Sequence, residues 1–484
     1  MRQAAPPRPA HCSVALQGGE IKTEGLQGVC GAVRRGWSAQ CENVLCDCPG
    51  VPSCKVDRKH FPLYNLNTMH YFGSAVKCLT VFYLQMRDFH ESLSLNHLVK
   101  SLLLNCTDNG LSVNIIGYKQ KNSPEEGAIP LSGDAAHAKI LDRRYQKKSS
   151  FLSRYIYECW LVIRAGFHPK LWKASDVCLA YSFPSTFLYI WMAKAIFRKK
   201  AIFWIQDLWP ENAVEAGVLR RGSIPYKVFS LLEKRAYRQA DVIVPISEDI
   251  ANRLTEYGIP ESKINVIHNW GYDDTTPSVS WKENCFVKYA NLCEDTFHAV
   301  YAGNIGAVQN VELVVESAAL LKQRTDIRFL IVGDGVALNA IIEKAEGLKN
   351  VSFFPMQPPS MARHIYCAAS VNLIPLRKGI VFTALPSKTA ILLACGRPVI
   401  ASLDIDSHYA SLLQKYGVGP ITDPKDARAL ADAVASIADS ADTNYTEENV
   451  RKCFEEQFSQ KTAFERFDKI FKTMGRGQSS HVQR

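Results

Sequence analysis

The chain predicts an α/β protein of two Rossmann-like domains facing across a cleft. Three observations lead there. Its 484 residues exceed what one ordinary core encloses. Short apolar runs alternate with helical patterns in two separate stretches, one before residue 271 and one after residue 295. Glycine-bearing or acidic turns follow several of those runs, and the carboxyl ends of strands are where doubly wound sheets bind ligands.

The first domain is read as 69–270. Residues 78–84 (CLTVFYL) are apolar throughout rather than alternating, as a buried parallel strand is. A helix over 93–105 and a strand over 111–118 (LSVNIIGY) complete a βαβ unit. Residues 151–165 form an aromatic helical pattern. Further strands fall at 176–181, 201–205 and 241–245, with a helix over 224–238. Ser247 fits as the N-cap of a helix over 247–257, and 264–267 (INVI) closes the half as a strand. Residues 271–295 have mixed charge and no clear period, so they are expected to be the linker. The second domain, 296–474, has strands at 298–302, 328–332, 351–354, 370–374 and 398–401, alternating with helices such as 312–324. From 427 the pattern is mostly helical, and the last helix is expected to pack back on the first domain.

The ends differ from this body. Residues 1–68 are rich in Gly, Pro, Cys and Arg without a sustained period, and are expected to be a disordered or non-native extension, with Met69 as the start of translation. Cys41, Cys46, Cys48 and Cys54 lack the two well-spaced ligand pairs of a structural zinc site, so no metal is expected. Residues 475–484 are read as a disordered tail.

Apolar residues make up 47% of the chain and charged residues 21%, the profile of a soluble globular protein. A net charge of +10 points to an anionic partner. The basic residues are spread out, without the block that marks a nucleic-acid arm, so phosphates or an acidic membrane face fit better than nucleic acid. Nine of the fifteen cysteines lie singly in apolar segments, as thiols of a reducing compartment do, which places the folded part in the cytoplasm. Residues 183–197 are apolar but too short to span a bilayer, so a buried or interfacial helix is expected there.

Four motifs carry chemistry. Tyr301-Ala302-Gly303-Asn304-Ile305-Gly306 lies between a strand and a helix, where glycines let the backbone approach a phosphate and free N–H groups point at it; a plain tight turn is the alternative. Val332-Gly333-Asp334-Gly335 follows the next strand, with either a role near the ligand or a turn that ends the strand. Leu385-Pro386-Ser387-Lys388 opens a helix, so that ammonium, hydroxyl and helix N-terminus form a local anion site. Gln206-Asp207-Leu208-Trp209-Pro210-Glu211 follows the strand ending at Ile205. Asp207 or Glu211 then binds a sugar hydroxyl or takes a proton, or Asp207 caps the next helix. The chain holds no G-x-x-x-x-G-K-[ST], H-E-x-x-H or G-x-S-x-G, which removes P-loop, zincin and α/β-hydrolase readings.

Asp207 to Glu211, Gly303 to Gly306, Val332 to Gly335, Pro386 to Lys388 and Gly396-Arg397-Pro398-Val399-Ile400 resemble, in order and spacing, family four of the GT-B glycosyltransferases. The resemblance covers roughly residues 77–472. It is nearest to the bacterial branch that includes N-acetyl-L-fucosamine transferases of capsule and O-antigen synthesis; Ile246-Ser247-Glu248 and the Val266–Trp270 stretch with Asn269 resemble that branch as well. It implies a donor half at the C-terminus, an acceptor half at the N-terminus, a retaining transfer, and a nucleoside-diphosphate sugar as substrate without metal or cofactor. Gly303, Asn304 and Gly306 would line the diphosphate, Lys388 would offset its charge on departure, and Asp207 would stand near the transferred sugar or acceptor hydroxyl. Gly333, Gly335, Ser387, Glu211 and Asn269 complete the expected substrate-binding set. Many members carry two glutamates eight positions apart before the G-x-P-V-I strand; those positions here are Thr383 and Ile391. Acceptors of this branch are often glycans linked to polyprenyl diphosphate, and residues 151–173 mix aromatic and basic side chains as a helix on an anionic membrane does. A sugar-nucleotide 2-epimerase and a non-catalytic partner subunit of the same architecture are the rival readings.

Overall fold

The computed structural model describes residues 76–82, 93–117, 136–140, 151–182, 185–215, 217–271, 278–439 and 445–476. The expectations for residues 1–68 and 477–484 lie outside that set.

The first lobe is built from β1 (Cys78–Phe82), α1 (Leu93–Asp108), β2 (Ser112–Gly117), β3 (Ala136–Ile140), α2 (Phe151–Gly166), α3 (Pro169–Ala174), β4 (Val177–Tyr181), α4 (Thr186–Trp191), β5 (Lys200–Ile205), α5 (Glu211–Glu215), α6 (Ile224–Gln239), β6 (Val242–Pro245) and α7 (Glu248–Glu256). A π-turn, Met192–Ile196, extends α4. The six strands are parallel in the order β3-β2-β1-β4-β5-β6. β4 is buried along its whole length, and β5 beyond its first residue, as strands covered by helices on both faces must be. Ser247 caps α7, its hydroxyl accepting from the Ile250 amide at 3.2 Å.

The second lobe runs through α8 (Cys285–Ala290), β7 (Phe297–Ala302), α9 (Val311–Leu320), β8 (Ile327–Val332), α10 (Leu338–Lys344), β9 (Val351–Phe354), α11 (Ala362–Cys367), β10 (Val371–Pro375), α12 (Thr389–Ala394), β11 (Val399–Ser402), α13 (His408–Lys415), β12 (Ile421–Thr422), α14 (Ala427–Asp439), α15 (Glu447–Cys453) and α16 (Gln460–Arg476). Its sheet is again parallel, in the order β12-β11-β10-β7-β8-β9. Counted within each lobe, both orders are 3-2-1-4-5-6, the doubly wound arrangement, and the switch point of the second lobe falls between β7 and β10.

Three of the differences from the expectation fall at the ends of the domains. Residues 264–267 make a single parallel bridge, Ile264 to Ile243, instead of a strand. The second half of the expected linker is folded: Asn284 caps α8 through the Phe286 and Val287 amides, and those two side chains are buried in the second lobe. The tail begins later than residue 475, because α16 continues to Arg476.

The C-terminus returns to the first lobe. Phe467 of α16 packs edge-on to Trp204 at 5.2 Å and near Trp270, Arg466 donates to the Val266 carbonyl, and Lys200 donates to the Met474 carbonyl. On the cleft side, Asp249 of α7 accepts from the His408 and Tyr409 amides at 2.8 and 3.0 Å, satisfying the free N–H groups at the start of α13. Arg253 lies over the Phe382 ring. Among the described residues, no helix is long and apolar enough to cross a membrane.

Candidate active site

The glycine bend of the second lobe stands where its topology opens. β7 ends at Ala302, and the next residue, Gly303, has φ 142°, a conformation that excludes side chains. Its amide still pairs with the Val332 carbonyl, and the Ile305 amide pairs with the Asp334 carbonyl, so the loop prolongs the β7–β8 ladder. A Cβ on Gly333 would sit 1.9 Å from the Gly303 carbonyl oxygen, and one on Gly335 would sit 2.3 Å from that of Ile305. The two later glycines therefore let one backbone lie on the other and support the Gly303 bend. Asn304 is exposed, with its amide donating to Gln309, and Gly306 is closed in by those two flexible side chains.

Lys388 meets this bend. Its ammonium lies 3.8 Å from the centre of the Tyr301 ring and donates to the Ala302 carbonyl at 3.3 Å. The Tyr366 hydroxyl donates to the same carbonyl, and the Tyr301 hydroxyl donates to that of Asn304 at 2.5 Å, so residues 302–304 are pinned from below. Burial among these groups lowers the Lys388 pKa to about 7. Among the described residues no carboxylate pairs with it. A desolvated, half-buried ammonium without a counter-ion is a site prepared for an anion. Ser387 is exposed in the turn before α12, which is only six residues long, so the lysine rather than a helix dipole supplies most of the positive potential.

The first lobe contributes from the end of β5. Asp207 forms an antiparallel bridge with Ala384, and the Leu208 amide donates to the Thr383 carbonyl at 2.8 Å. This join brings Asp207 to the segment that ends in Lys388. The Asp207 side chain is open to solvent yet surrounded by protein, as in a crevice; desolvation raises its pKa to about 6, against an opposing hydrogen bond from Asn212. Neither Asp207 nor Lys388 is among the groups that perturb the other. Asn269 donates to the Gln206 side chain at 2.7 Å, which ties the end of β5 to the Val266–Trp270 stretch.

Glu211 is placed differently from its expectation. It is buried, and its Oε1 accepts from Tyr257 at 2.6 Å and Tyr226 at 3.2 Å. Through that oxygen Glu211 joins α5 and α6 to the end of α7, while its Oε2 is buried without a protein partner. Thr383 is also buried, with its hydroxyl on the Ile380 carbonyl, and Ile391 packs against the core. The two positions that would carry glutamates therefore hold the structure together. Among the described residues, no cluster of His, Cys, Asp and Glu is placed to hold a metal.

A family model described as "Glycosyl transferase 4-like domain" matches residues 98–270, and one described as "Glycosyl transferases group 1" matches residues 296–440. Together they span well over half of the chain. The chain is a glycosyltransferase. A probable glycosyltransferase of Pseudomonas aeruginosa, WbjE, is 25% identical over 55% of this chain and 67% of its own length. The putative colanic acid biosynthesis glycosyl transferase WcaI of Escherichia coli is 24% identical over 48% of this chain and 58% of its own length. Anabaena HepE, solved with UDP, superposes with a TM-score of 0.61 at 13% identity, covering 82% of this chain and 100% of that one. The sucrose-phosphate synthase of Thermosynechococcus elongatus superposes at 0.64 and 16% identity, covering 83% and 100%. WaaG, a glycosyltransferase involved in lipopolysaccharide biosynthesis, superposes at 0.57 and 14% identity, covering 81% and 99%. The fold of this glycosyltransferase is GT-B.

Three further residues of the glycosyltransferase escaped the sequence reading. Gln206 accepts from Asn269. Arg377 follows β10 at the switch point, and its Nε donates to the Ala307 carbonyl at 2.7 Å, which brings a guanidinium to the rim of the glycine bend. Asp404, buried at the end of β11, accepts from the Gly379 amide at 2.7 Å and fixes the loop that leads to Lys388. Basic residues directly after a strand, such as Arg377 and Lys378, were the available signal.

Proposed function

We propose that this glycosyltransferase moves a sugar, with retention of configuration, from a nucleoside-diphosphate sugar to a glycan or polyprenyl-diphosphate-linked acceptor in surface polysaccharide synthesis. The observation that carries the reading is the unpaired Lys388 ammonium on the Ala302 carbonyl, one residue before the Gly303 bend. The donor diphosphate lies against residues 303–306 and beside Lys388, with Arg377 at the rim. As the bond from the anomeric carbon to the diphosphate breaks, negative charge grows on the leaving oxygen, and the ammonium stabilises that charge most when it is greatest. The acceptor hydroxyl approaches from the Asp207 side and gives its proton to the Asp207 carboxylate as its oxygen bonds to the anomeric carbon. WcaI, by its name, supports polysaccharide synthesis, and HepE with UDP supports uracil as the first base to try. The site of action is the cytoplasmic side of an anionic membrane, with no nucleic acid as partner.

The inward-facing Thr383 and Ile391 favour one rival, a subunit that binds donor without turnover. A thermal-shift screen of UDP-, GDP- and dTDP-sugars, followed by transfer assays with the stabilising donor, tests both. Stabilisation of about 2.7 kcal/mol at a hundredfold excess over Kd, with turnover, is the expected result. Stabilisation without turnover supports the rival, and no stabilisation by any nucleotide sugar removes the proposal.

A further inference from the structure

Two helices of the first lobe have inverted polarity. α2 and α6 both pack on the short α4 and meet where Tyr155 stands edge-on to Phe229 at 5.0 Å. An ordinary surface helix buries its apolar stripe and shows its carboxylates to water. Here Ile156, Trp160, Ile163 and Phe167 face outward at spacings of four, three and four along and just beyond α2, with Ile156 59% and Phe167 77% exposed. Ile224, Val228 and Leu231 do the same on α6, with Ile224 79% and Leu231 66% exposed. These seven are nearly half of the sixteen large apolar side chains exposed among the described residues, on two adjacent helices. The only acids in the two helices, Glu158 and Glu233, are each 2% exposed. Burial also pushes the Glu233 carboxyl well above the usual carboxylate range. The outward surface thus offers hydrocarbon and cations. Arg164 lies over the Trp160 ring at 4.8 Å, and Lys227, Arg235 and Arg238 of α6 are exposed.

Adjacent apolar stripes of this kind mark an interaction surface. Its charge decides between occupants. A second copy would bring cation against cation, whereas an anionic bilayer accepts both the apolar stripe and the basic rim. The face also adjoins the cleft. Trp209, between Asp207 and Glu211, stands edge-on to Phe229, which in turn meets Tyr155, and Tyr226 of α6 holds Glu211.

We propose that α2 and α6 together seat the first lobe on an anionic lipid surface, with their apolar stripes at the acyl boundary and the basic residues among the headgroup phosphates. The edge of the cleft at Trp209 is then presented to the bilayer, so that an acceptor carried on a lipid reaches Asp207 without leaving it. This deepens the lipid-linked part of the function proposed above, but vesicle binding is measured with neither donor nor acceptor, so either idea can fail alone.

The test is co-sedimentation of the full chain with phosphatidylcholine vesicles, with and without about 30% phosphatidylglycerol. Binding is expected only with the anionic lipid at low salt, weakening at about 0.5 M salt. The double substitution Ile163→Glu/Leu231→Glu is expected to reduce it about tenfold or more, and Lys227→Glu/Arg235→Glu likewise at low salt. Circular dichroism and melting confirm folding of each variant, and the single Ile224→Ser, at the most exposed position, serves as the mildest case. Trp160 fluorescence should shift to shorter wavelength with anionic vesicles, a change missing in Trp160→Phe. Transfer to a water-soluble acceptor should not change in these variants. Absence of binding to anionic vesicles, binding unaltered in the double variants, or a dimer that Leu231→Glu converts to monomer would each overturn the proposal.

Discussion

Replacing Lys388 by methionine should stabilise the protein while removing its grip on the donor. The lysine stands at about 7 in the folded chain against an ordinary 10.5. Each unit is worth about 1.4 kcal/mol, so complete burial of that charge would cost about 5 kcal/mol. Water reaches part of the side chain, which brings the expected cost to about 2–4 kcal/mol. Methionine keeps the stem against Tyr301, and the Ala302 carbonyl keeps the Tyr366 hydroxyl, so little else is lost. The sign follows from the two proton affinities. Below pH 7 both folded and unfolded chains hold the proton, and the penalty is whole. Between 7 and 10.5 the unfolded chain holds it and the folded chain does not, so wild-type stability climbs with pH and the gap to the variant closes. Urea denaturation of both proteins at about pH 6.5 and about pH 9.5 measures that gap. In the same variant, calorimetry should show nucleoside-diphosphate affinity reduced about tenfold or more. A variant less stable than wild type at both pH values, or one that binds the nucleotide equally well, would refute the reasoning.

Four other outcomes follow. Because a bound diphosphate favours charged Lys388, nucleotide affinity should fall about tenfold per unit as pH rises above 7 and be accompanied by proton uptake, read by calorimetry in buffers of different ionisation enthalpy. Gly333→Ala or Gly335→Ala should cost about 2–4 kcal/mol in urea denaturation and weaken nucleotide binding, since the new Cβ meets backbone, whereas Gly347→Ala, which meets open space at φ +81°, should cost about 1 kcal/mol and leave binding intact. Asp207→Asn should lower kcat about a hundredfold or more with donor affinity unchanged, and wild-type kcat should fall as pH drops through about 6 and the carboxylate is protonated. Asp249→Ala leaves the α13 amides without their acceptor, so small-angle scattering should show the lobes further apart and stability should drop by about 1–2 kcal/mol.

The strands were legible because parallel strands covered on both faces are written as short apolar runs, and β1 and β5 were found on that ground. β3 (AHAKI) has a lysine and a histidine in five residues, and β12 has two residues, so neither carries a local signal strong enough to read. INVI has the composition of a strand but meets only one partner residue, which pairing decides and composition does not. The short helix α8 is held by the Asn284 cap and by burial of Phe286 and Val287, and that cap is visible only once the following pair is known to turn inward. At the site, a glycine bend between strand and helix and a lysine at a helix start could be read locally, which explains why Gly303 and Lys388 were found together. What buries Glu211 could not: Tyr226 and Tyr257 lie 15 and 46 residues away. The mutual packing of Gly303 with Gly333, and the desolvation that lowers Lys388, are likewise products of tertiary contact.

The central claim is that the donor diphosphate lies where the Gly303 bend meets the Lys388 ammonium. A crystal structure of the full chain with a nucleoside diphosphate tests it most directly. The account predicts phosphate oxygens within hydrogen-bonding distance of Lys388 Nζ and of amides between Gly303 and Gly306. A diphosphate bound elsewhere, with Lys388 still donating only to the Ala302 carbonyl, would contradict it.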